Sequence, residues 1–353
     1  MNTKVILGIL GGITVGAIAG IVFAPAKGKK TRKQIMKKSA EFTEDLKYKF
    51  ENKFYRLLVD IPKLITQNNI DYAHFQYIVS PIKKCKYIVS THDVLFLEFP
   101  QYFSKLNSLK NKILFKHGAR NADIILTGSQ YSKNKIEYYL DVKNVNVTVY
   151  GVEPIFFEEY DKSFIQEQIQ KKYGFKNYLV YISRHEPRKN HYRLLKSFID
   201  LELYNHFHLV LIGDVTFRDK EFDLLLATLE ESIKNRIILI NKVAFKDMIE
   251  LLRGATLAVY PSIAEGFGLP PLESIAARIP TLCSKTTSMA EFDFFEEDFV
   301  NPLDIEELKR KIYNKLNNID IERQIELSKL VAEKYNWIIA AKQFNEILDN
   351  YHN

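Results

Sequence analysis

The sequence predicts an α/β fold built on parallel sheets and divided into two domains. From Asp60 onward, short runs of β-branched and aromatic residues alternate with helical stretches, which is typical of consecutive βα units. The 353 residues, 46% of them apolar, suffice for two medium hydrophobic cores. The turn from Tyr150 to Pro154 suggests a seam between the domains, near residues 151–161.

Nine strands follow from this pattern, and helices fill the gaps between them. The predicted strands are Asp71–Gln76, Lys86–Thr91, Asp123–Thr127, Asn146–Tyr150, Tyr178–Ser183, His208–Ile212, Arg236–Ile240, Thr256–Tyr260 and Pro280–Cys283.

The net charge of +7 is confined to one end of the chain. Residues 1–56 hold 12 Lys and Arg against 4 Asp and Glu, a net charge of +8, so the remaining residues carry −1. A nucleic-acid binder needs a basic face on its folded body, whereas a basic segment beside an apolar one is typical of an anionic membrane surface. We therefore expect no nucleic-acid partner.

Cysteine usage excludes two classes of stabilising site. Cys85 and Cys283 both fall in or beside predicted buried strands, so neither a disulfide framework nor a cysteine-based zinc site is available. We expect no metal and no cofactor, and a reducing cytoplasm fits this composition.

The first 26 residues predict a membrane anchor. Val5 to Ala24 is uncharged and long enough to cross the bilayer as a helix. Seven Lys and Arg between residues 27 and 38 follow it, which places the body of a single-pass protein in the cytoplasm. Glycines recur on one face of this helix and predict self-association in the membrane: Gly8, Gly12, Gly16 and Gly20.

Two alternatives remain open for this segment. Ala24 to Ala26 mimics a signal-peptide cleavage site, although the basic run after it disfavours export. Lys4 to Gly12 could instead be a first strand and glycine turn of a nucleotide-binding domain, although no G-x-G-x-x-G is present. Residues 5–50 resemble YtxH-like (gas-vesicle-protein type) membrane proteins, in which a glycine-rich span precedes a basic helix.

Glu265 and Glu273 flank a glycine-rich turn that directly follows a predicted strand. Ligands of open α/β sheets bind at the carboxyl ends of strands. Gly266 and Gly268 let backbone amides approach a ligand, and the prolines after Leu269 suit the first turn of a helix. The helix N-terminus would attract a phosphate or a polar sugar. The alternative is an ordinary capped helix whose acids are solvated.

Two further groups follow strands at the same kind of position. Arg184 and Lys189 lie on the loop after Tyr178–Ser183, where they could bind a diphosphate or simply be solvated. His92 and Asp93 end a strand of the first domain, where they could position a sugar hydroxyl or form a helix cap.

From about Asp60 to Glu346 the chain resembles family 4 retaining glycosyltransferases of the GT-B fold. Six segments carry the resemblance. Two are in the C-terminal part, the E-x7-E motif from Glu265 to Glu273 and the loop SRHEPRKN from Ser183 to Asn190. The other four are in the N-terminal part: Asp71–Gln76, Thr91–Asp93, Ala122–Ser132 and Tyr150–Pro154. The resemblance implies two Rossmann-type parallel-sheet domains. They would comprise a partial acceptor-side domain at 60–155 and a donor-binding domain at 156–353, after an anchor at 1–26 and a basic juxtamembrane helix at 27–59.

The resemblance also implies a role for each site residue. Glu273 would bind the donor's ribose, and Glu265 with Gly266, Phe267, Gly268 and Leu269 would hold the transferred sugar. Arg184 and Lys189 would stabilise the departing nucleoside diphosphate without a metal. His92 and Asp93 would contact the sugar from the first domain.

The sequence departs from this family at two places. The family's first βα units have no visible counterpart before Asp71, so the N-terminal domain is expected to be incomplete. After Ser288 the family's Pro-Glu turn becomes Ala290-Glu291, followed by Phe292.

Three functions remain open at this point. The first is a membrane-tethered hexosyltransferase that uses a nucleotide-diphosphate sugar and a glycan or lipid-linked acceptor. The second is a noncatalytic nucleotide-sugar-binding or scaffold protein with a truncated acceptor domain. The third is a poorly folding enzyme fragment joined to an unrelated anchor.

Overall fold

The computed structural model describes residues 5–7, 55–215, 217 and 219–352. They group into two compact units. The first unit comprises residues up to His92, Leu106–Thr127 and Ile136–Asn146. The second comprises Asp93–Lys105, Gly128–Lys135 and Val147–Asn353, so two short segments that precede the predicted seam group with the C-terminal residues.

The first unit contains a five-stranded sheet in the order β1-β2-β3-β4-β5. Its inner strands are buried on both faces, as parallel strands covered by helices must be. Tyr72 to Gln76 pair in parallel register with Lys86 to Ser90. The strands are β1 Val5–Leu7, β2 Tyr72–Gln76, β3 Lys86–Ser90, β4 Ile124–Thr127 and β5 Val145–Val147.

The second unit contains a six-stranded parallel sheet in the order β11-β10-β9-β6-β7-β8. The chain moves outward from β6 through β7 to β8, then returns to the other side of β6 with β9. This doubly wound order has a topological switch point between β6 and β9. The strands are β6 Tyr178–Ile182, β7 His208–Ile212, β8 Ile237–Ile240, β9 Leu257–Tyr260, β10 Thr281–Ser284 and β11 Phe299–Val300.

Helices connect most of the strands, which is what parallel pairing requires. The α-helices are α1 Ile61–Gln67, α2 Leu95–Glu98, α3 Lys105–Asn121, α4 Gln130–Leu140, α5 Lys162–Tyr173, α6 His191–Asp200, α7 Lys220–Thr228, α8 Glu231–Lys234, α9 Phe245–Arg253, α10 Leu269–Ala276, α11 Ile305–Asn317, α12 Ile321–Lys334 and α13 Trp337–His352. A π-helical turn at Arg56–Asp60 precedes α1. Short 3₁₀ turns lie at Pro100–Tyr102, Pro154–Phe157, Pro187–Lys189, Leu203–Asn205, Thr287–Glu291 and Asp293–Asp298.

The core of the second unit lies on both faces of its central strands. Every residue of β9 is buried, as are the first four residues of β6. Tyr178 and Tyr181 are among the largest fully buried side chains, and Tyr178 donates from its hydroxyl to the carbonyl of Leu251 at 2.6 Å. A close-packed layer of this kind holds the loops that leave its carboxyl edge in fixed positions.

The N-terminal prediction needs a correction. Val5–Leu7 form a strand whose residues pair in parallel with Tyr72 to His74, where the sequence predicted the start of a transmembrane helix. The alternative interpretation as a first strand is therefore correct at these residues, and the first sheet begins before Asp71. Residues 8–24 of the predicted span, its glycines and most of the basic segment lie outside the described residues. No helix that the structure describes has both the length and the apolar character to cross a membrane.

All nine predicted strands are present, with ends shifted by a few residues at most. The prediction missed β11, which has only two residues, and treated β1 only as an alternative.

Candidate functional site

Two loops leave the sheet of the second unit at its switch point, where ligands of open α/β sheets bind. The loop after β6, from Ser183 to Asn190, and the loop after β9, from Pro261 to Gly268, leave the sheet on either side of it. The loops are joined through Asn190, whose side-chain amide donates to the carbonyls of Pro261 at 2.9 Å and Pro302 at 2.7 Å. Asn190 itself has the left-handed backbone conformation, with φ 63°.

Glu265 lies at the centre of a buried cluster of charges. Its Oε1 accepts a hydrogen bond from Lys189 Nζ, and its Oε2 lies 3.2 Å from a guanidinium nitrogen of Arg188. The same nitrogen of Arg188 donates to the carbonyl of Ala264 at 2.7 Å, and Arg188 Nε lies 2.9 Å from Glu186 Oε2. Because these charges are paired and shielded from water, the interpretation of Glu265 as a solvated acid is wrong.

The cluster fixes the ionisation of Glu265. Burial by itself would raise its pKa, but the neighbouring charges of Lys189 and Arg188 outweigh burial and lower the pKa to about 2. Burial lowers the pKa of Lys189, and Glu265 opposes that effect. A carboxylate held ionised in a dry environment is a strong hydrogen-bond acceptor for ligand hydroxyls.

The turn after Glu265 is fixed through its backbone carbonyls. Ser129 and Ser132 donate from their hydroxyls to the carbonyl of Gly266 at 2.9 and 2.8 Å. Ser288 donates to the carbonyls of Glu265 and Phe267 at 2.8 and 3.0 Å. The carbonyls are thereby held by side chains.

The amides of this turn remain available for a ligand. Among the described residues, no hydrogen bond uses the amide N–H of any residue from Gly266 to Leu269, whereas the amide of Glu265 donates to Thr287 Oγ1 at 3.0 Å. Gly268 has φ 104°, which side-chain-bearing residues rarely adopt, and a Cβ on Gly266 would lie 2.7 Å from Asp93 Cβ. Unsatisfied amides at a helix N-terminus form an anion-binding site.

Glu273 occupies the opposite electrostatic environment. Burial, reinforced by the negative charge of Glu153, raises its pKa to about 7. No hydrogen bond or ion pair with another described residue involves its side chain, whereas Glu153 accepts from Trp337 Nε1 at 3.0 Å. Glu273 can therefore be protonated near neutral pH, and it can accept hydrogen bonds from a ligand diol that replaces its lost hydration.

The remaining predicted residues occupy three different places. Arg184 is exposed on the loop after β6, away from the ion pairs around Glu265. Asp93 Oδ1 accepts from the amide of Leu95 at 3.1 Å, but the N-cap of α2 is Val94 and this helix has no side-chain cap, so Asp93 is not the predicted helix cap. The side chain of Asp93 also packs against Gly266. His92 belongs to the first unit, where its ring packs against Tyr77 with centroids 5.2 Å apart.

Several residues that shape this site were not predicted from the sequence. Arg188 precedes Lys189 in the chain and pairs with Glu265, a role that the sequence assigned to no residue. Glu291, which lies in the turn where Ala290 departs from the family pattern, accepts the amides of Gln130 at 3.1 Å and Tyr131 at 2.5 Å, and so caps α4. Glu153 lies in the turn from Tyr150 to Pro154, which was interpreted as a domain seam and as part of the family resemblance, without a role for Glu153 itself. One local feature of the sequence could have indicated the charge cluster: Glu186, Arg188 and Lys189 lie close together after a buried strand, and charges in such a place need partners.

Two sequence families match the chain. Residues 162–329 match the family described as Glycosyl transferases group 1, and residues 6–61 match the family described as YtxH-like protein. Serotype-specific mannosyltransferase WbdA of Escherichia coli is 27% identical over 240 residues, covering 65% of this chain and 29% of that protein. O-antigen chain mannosyltransferase B of Escherichia coli is 26% identical over 263 residues, covering 73% of this chain and 66% of that protein. The chain therefore spans less than a third of the first of these relatives.

Solved structures share the fold. A sucrose-phosphate synthase from Thermosynechococcus elongatus superposes with a TM-score of 0.66 at 17% identity, covering 84% of this chain and 79% of that one. Anabaena HepE in complex with UDP superposes with a TM-score of 0.64 at 17% identity, covering 82% and 81%. The fold is GT-B-like with parallel sheets, as the sequence resemblance implied.

Substitution of Glu265 by Gln is expected to remove a stabilising charge. The pKa of Glu265 is lowered on folding, so its contribution to stability is complete above its unfolded value of 4.5 and disappears as the pH falls to about 2. Glu265→Gln should lower the free energy of unfolding by about 3 kcal/mol at pH 7, and the difference from the parent should shrink toward pH 2. Urea unfolding at several pH values measures this difference in the free energy of unfolding. The exposed Glu306→Gln serves as the control, and an equal loss for both variants would contradict the buried cluster.

Substitution of Glu273 by Gln is expected to have the opposite effect. The pKa of Glu273 is raised on folding, so its charge costs stability as the pH rises from 4.5 through about 7. Glu273→Gln should increase the free energy of unfolding by about 2–3 kcal/mol at pH 8 and by little at pH 4.5. Glu153→Gln, which removes the neighbouring charge, should give a smaller gain of the same sign. A destabilised Glu273→Gln at pH 8 would show that the carboxylate has a structural partner.

Proposed function

We propose that this chain is a retaining family 4 glycosyltransferase that transfers a hexose from a nucleotide-diphosphate sugar to a glycan or lipid-linked acceptor. The observation that supports it most is the arrangement at the switch point, where the amides before α10, which make no hydrogen bond to a described residue, adjoin the cluster of Glu265, Arg188 and Lys189. The match of residues 162–329 to Glycosyl transferases group 1 supports the same class of reaction. Because the named relatives are mannosyltransferases, GDP-mannose is the first donor to test.

The donor would lie across the turn between Glu265 and Glu273. Its diphosphate would accept hydrogen bonds from the amides of Gly266 to Leu269, where the dipole of α10 favours negative charge. Its sugar hydroxyls would donate to Glu265, whose low pKa keeps it an acceptor. Its ribose hydroxyls would donate to Glu273, and the bound diol would favour the ionised form of this carboxyl.

Lys189 would change partners during the reaction. In the structure it pairs with Glu265, and Arg188 holds the other oxygen of the same carboxylate. When the bond between the sugar's anomeric carbon and the diphosphate oxygen breaks, its electron pair stays on the diphosphate. Lys189 and the exposed Arg184 could then stabilise that charge, while Arg188 remains as the counter-ion of Glu265.

The acceptor step would complete the transfer without a metal. An acceptor hydroxyl would bond to the anomeric carbon on the face that the diphosphate leaves, so the configuration would be retained and the diphosphate would take up the hydroxyl's proton. His92 and Asp93 are the residues proposed to contact the sugar from the N-terminal part of the chain.

Anchoring to the cytoplasmic face of a membrane belongs to the same proposal. It rests on the apolar residues 8–24, the basic run that follows them and the match of residues 6–61 to YtxH-like protein. A lipid-linked acceptor fits an enzyme tethered in this way. Self-association through the glycine-spaced residues is a further expectation of the same segment.

Donor binding and turnover test the proposal separately. GDP-mannose, UDP-glucose or ADP-glucose should raise the melting temperature of the full chain, and the bound donor should release nucleoside diphosphate when membrane extract supplies an acceptor. Arg184→Met and Lys189→Met should lower kcat about 10²–10³-fold, because each removes a charge that stabilises the leaving group. Lys196→Met, which removes a partly exposed lysine paired with Asp200, should leave kcat unchanged.

The outcomes distinguish the competing functions. Stabilisation by a donor without release of diphosphate would favour the noncatalytic nucleotide-sugar-binding protein. No stabilisation by any of the three donors would contradict the donor site itself. Equal kcat for Lys189→Met and the parent would remove the proposed leaving-group role.

A further inference from the structure

Three serine hydroxyls donate to consecutive carbonyls in the turn between β9 and α10. We call residues 265–268 of this turn the glycine turn. The three serines are buried and at most 3% exposed: Ser129, Ser132 and Ser288. Ser288 donates to the carbonyls of Glu265 and Phe267. The other two serines both donate to the carbonyl between these, that of Gly266.

A held carbonyl also fixes the amide N–H of the following residue. The two groups belong to one planar peptide, in which they point in opposite directions. The contacts of Ser288 therefore direct the amides of Gly266 and Gly268 away from Ser288. The contacts of the other two serines direct the amide of Phe267 away from them. These three amides make no hydrogen bond to another described residue.

The glycine turn needs this support because its own sequence does not hold one shape. Gly266 and Gly268 lack the side chains that restrict a backbone, and the φ of Gly268 is 104°. A Cβ on Gly266 would lie 2.7 Å from Asp93 Cβ, so a stiffer residue does not fit there. Rigidity must come from contacts outside the turn. An amide that is already fixed in direction binds an anion without a further loss of conformational freedom.

Glu291 extends the same support through α4. Its two carboxylate oxygens accept the first two amides of this helix, at 3.1 and 2.5 Å. The hydroxyl of Ser129 accepts the amide of Ser132 at 3.1 Å. The first turn of α4 is thereby fixed at the place where these two serines reach the glycine turn. Glu291 follows Ser288 by three residues, so one short segment acts on the glycine turn directly and through α4.

We propose that Ser129, Ser132 and Ser288 are positioning residues that aim the amides of the glycine turn at the diphosphate of the donor, and that Glu291 acts on this binding through α4. The inference rests on the proposed function, because it requires a diphosphate at these amides. It gives Glu291 a favourable, indirect effect on an anion that its own charge repels.

Calorimetric titration of the full chain with nucleotides tests the positioning role. GDP, UDP and ADP are compared with GMP, UMP and AMP, which lack the distal phosphate that the amides would bind. Ser288→Ala should raise the Kd of the diphosphate about tenfold, because two peptides of the glycine turn lose their support, and should change the Kd of the monophosphate much less. Ser132→Ala should have a smaller effect, because Ser129 still donates to the same carbonyl.

Glu291→Ala gives a result whose sign is decisive. If Glu291 acted only through its charge, its removal would tighten the binding of an anion. The positioning role predicts the reverse, a diphosphate bound roughly threefold more weakly, because the first turn of α4 loses its cap. Glu291 is exposed, so the substitution leaves the core intact and decides the matter even if Ser288→Ala does not fold.

Ser328→Ala is the matched control. Ser328 is also buried, and its hydroxyl donates at 2.9 Å to the carbonyl of Ala276, at the other end of α10. This variant should lose stability but keep the Kd of both nucleotides.

Three results would overturn the positioning role while the donor site stands. They are an unchanged Kd of the diphosphate in Ser288→Ala, equal losses of diphosphate and monophosphate binding in that variant, and tighter diphosphate binding by Glu291→Ala. If the parent binds none of the three diphosphates, the proposed function fails together with this inference.

Discussion

The pairing of Glu265 with Arg188 and Lys189 is the interaction on which the rest of the site depends. It joins the loop after β6 to the loop after β9, across the switch point where the order of the strands reverses. Removing three charges from water is costly, and the cost is offset only because each charge has a close partner. The arrangement explains why two adjacent cations follow a buried strand: one can neutralise Glu265 permanently while the other is released to a ligand.

Two carboxylates eight residues apart have opposite chemistry because their surroundings differ. Glu265 has two cations beside it and a pKa of about 2, whereas Glu273 has burial and Glu153 beside it and a pKa of about 7. The charge of Glu265 is already balanced by the two cations before a ligand arrives. In the proposed function, Glu273 would gain its compensation from the ligand, so part of the binding free energy of a diol would offset the cost of burying its charge.

The sequence predicted the sheet of the second unit well because buried parallel strands are continuous apolar runs, as in Tyr178–Ile182 and Leu257–Tyr260. It failed at Val5–Leu7, since an uncharged glycine-rich run fits a membrane span as readily as a strand, and only the pairing with Tyr72 to His74 distinguishes them. It located the loops that carry Glu265 and Lys189. It did not identify Arg188 as the partner of Glu265, because the partner of a loop cation depends on which side chain turns inward, and that is decided by tertiary packing.

A structure of the full chain with a bound nucleoside diphosphate would test the proposed exchange of partners by Lys189. We expect the distal phosphate to accept hydrogen bonds from the amides between Gly266 and Leu269, and Lys189 Nζ to have moved from Glu265 to the phosphate while Arg188 stays in place. A diphosphate bound elsewhere, or bound at this turn with the pair of Lys189 and Glu265 unchanged, would contradict it.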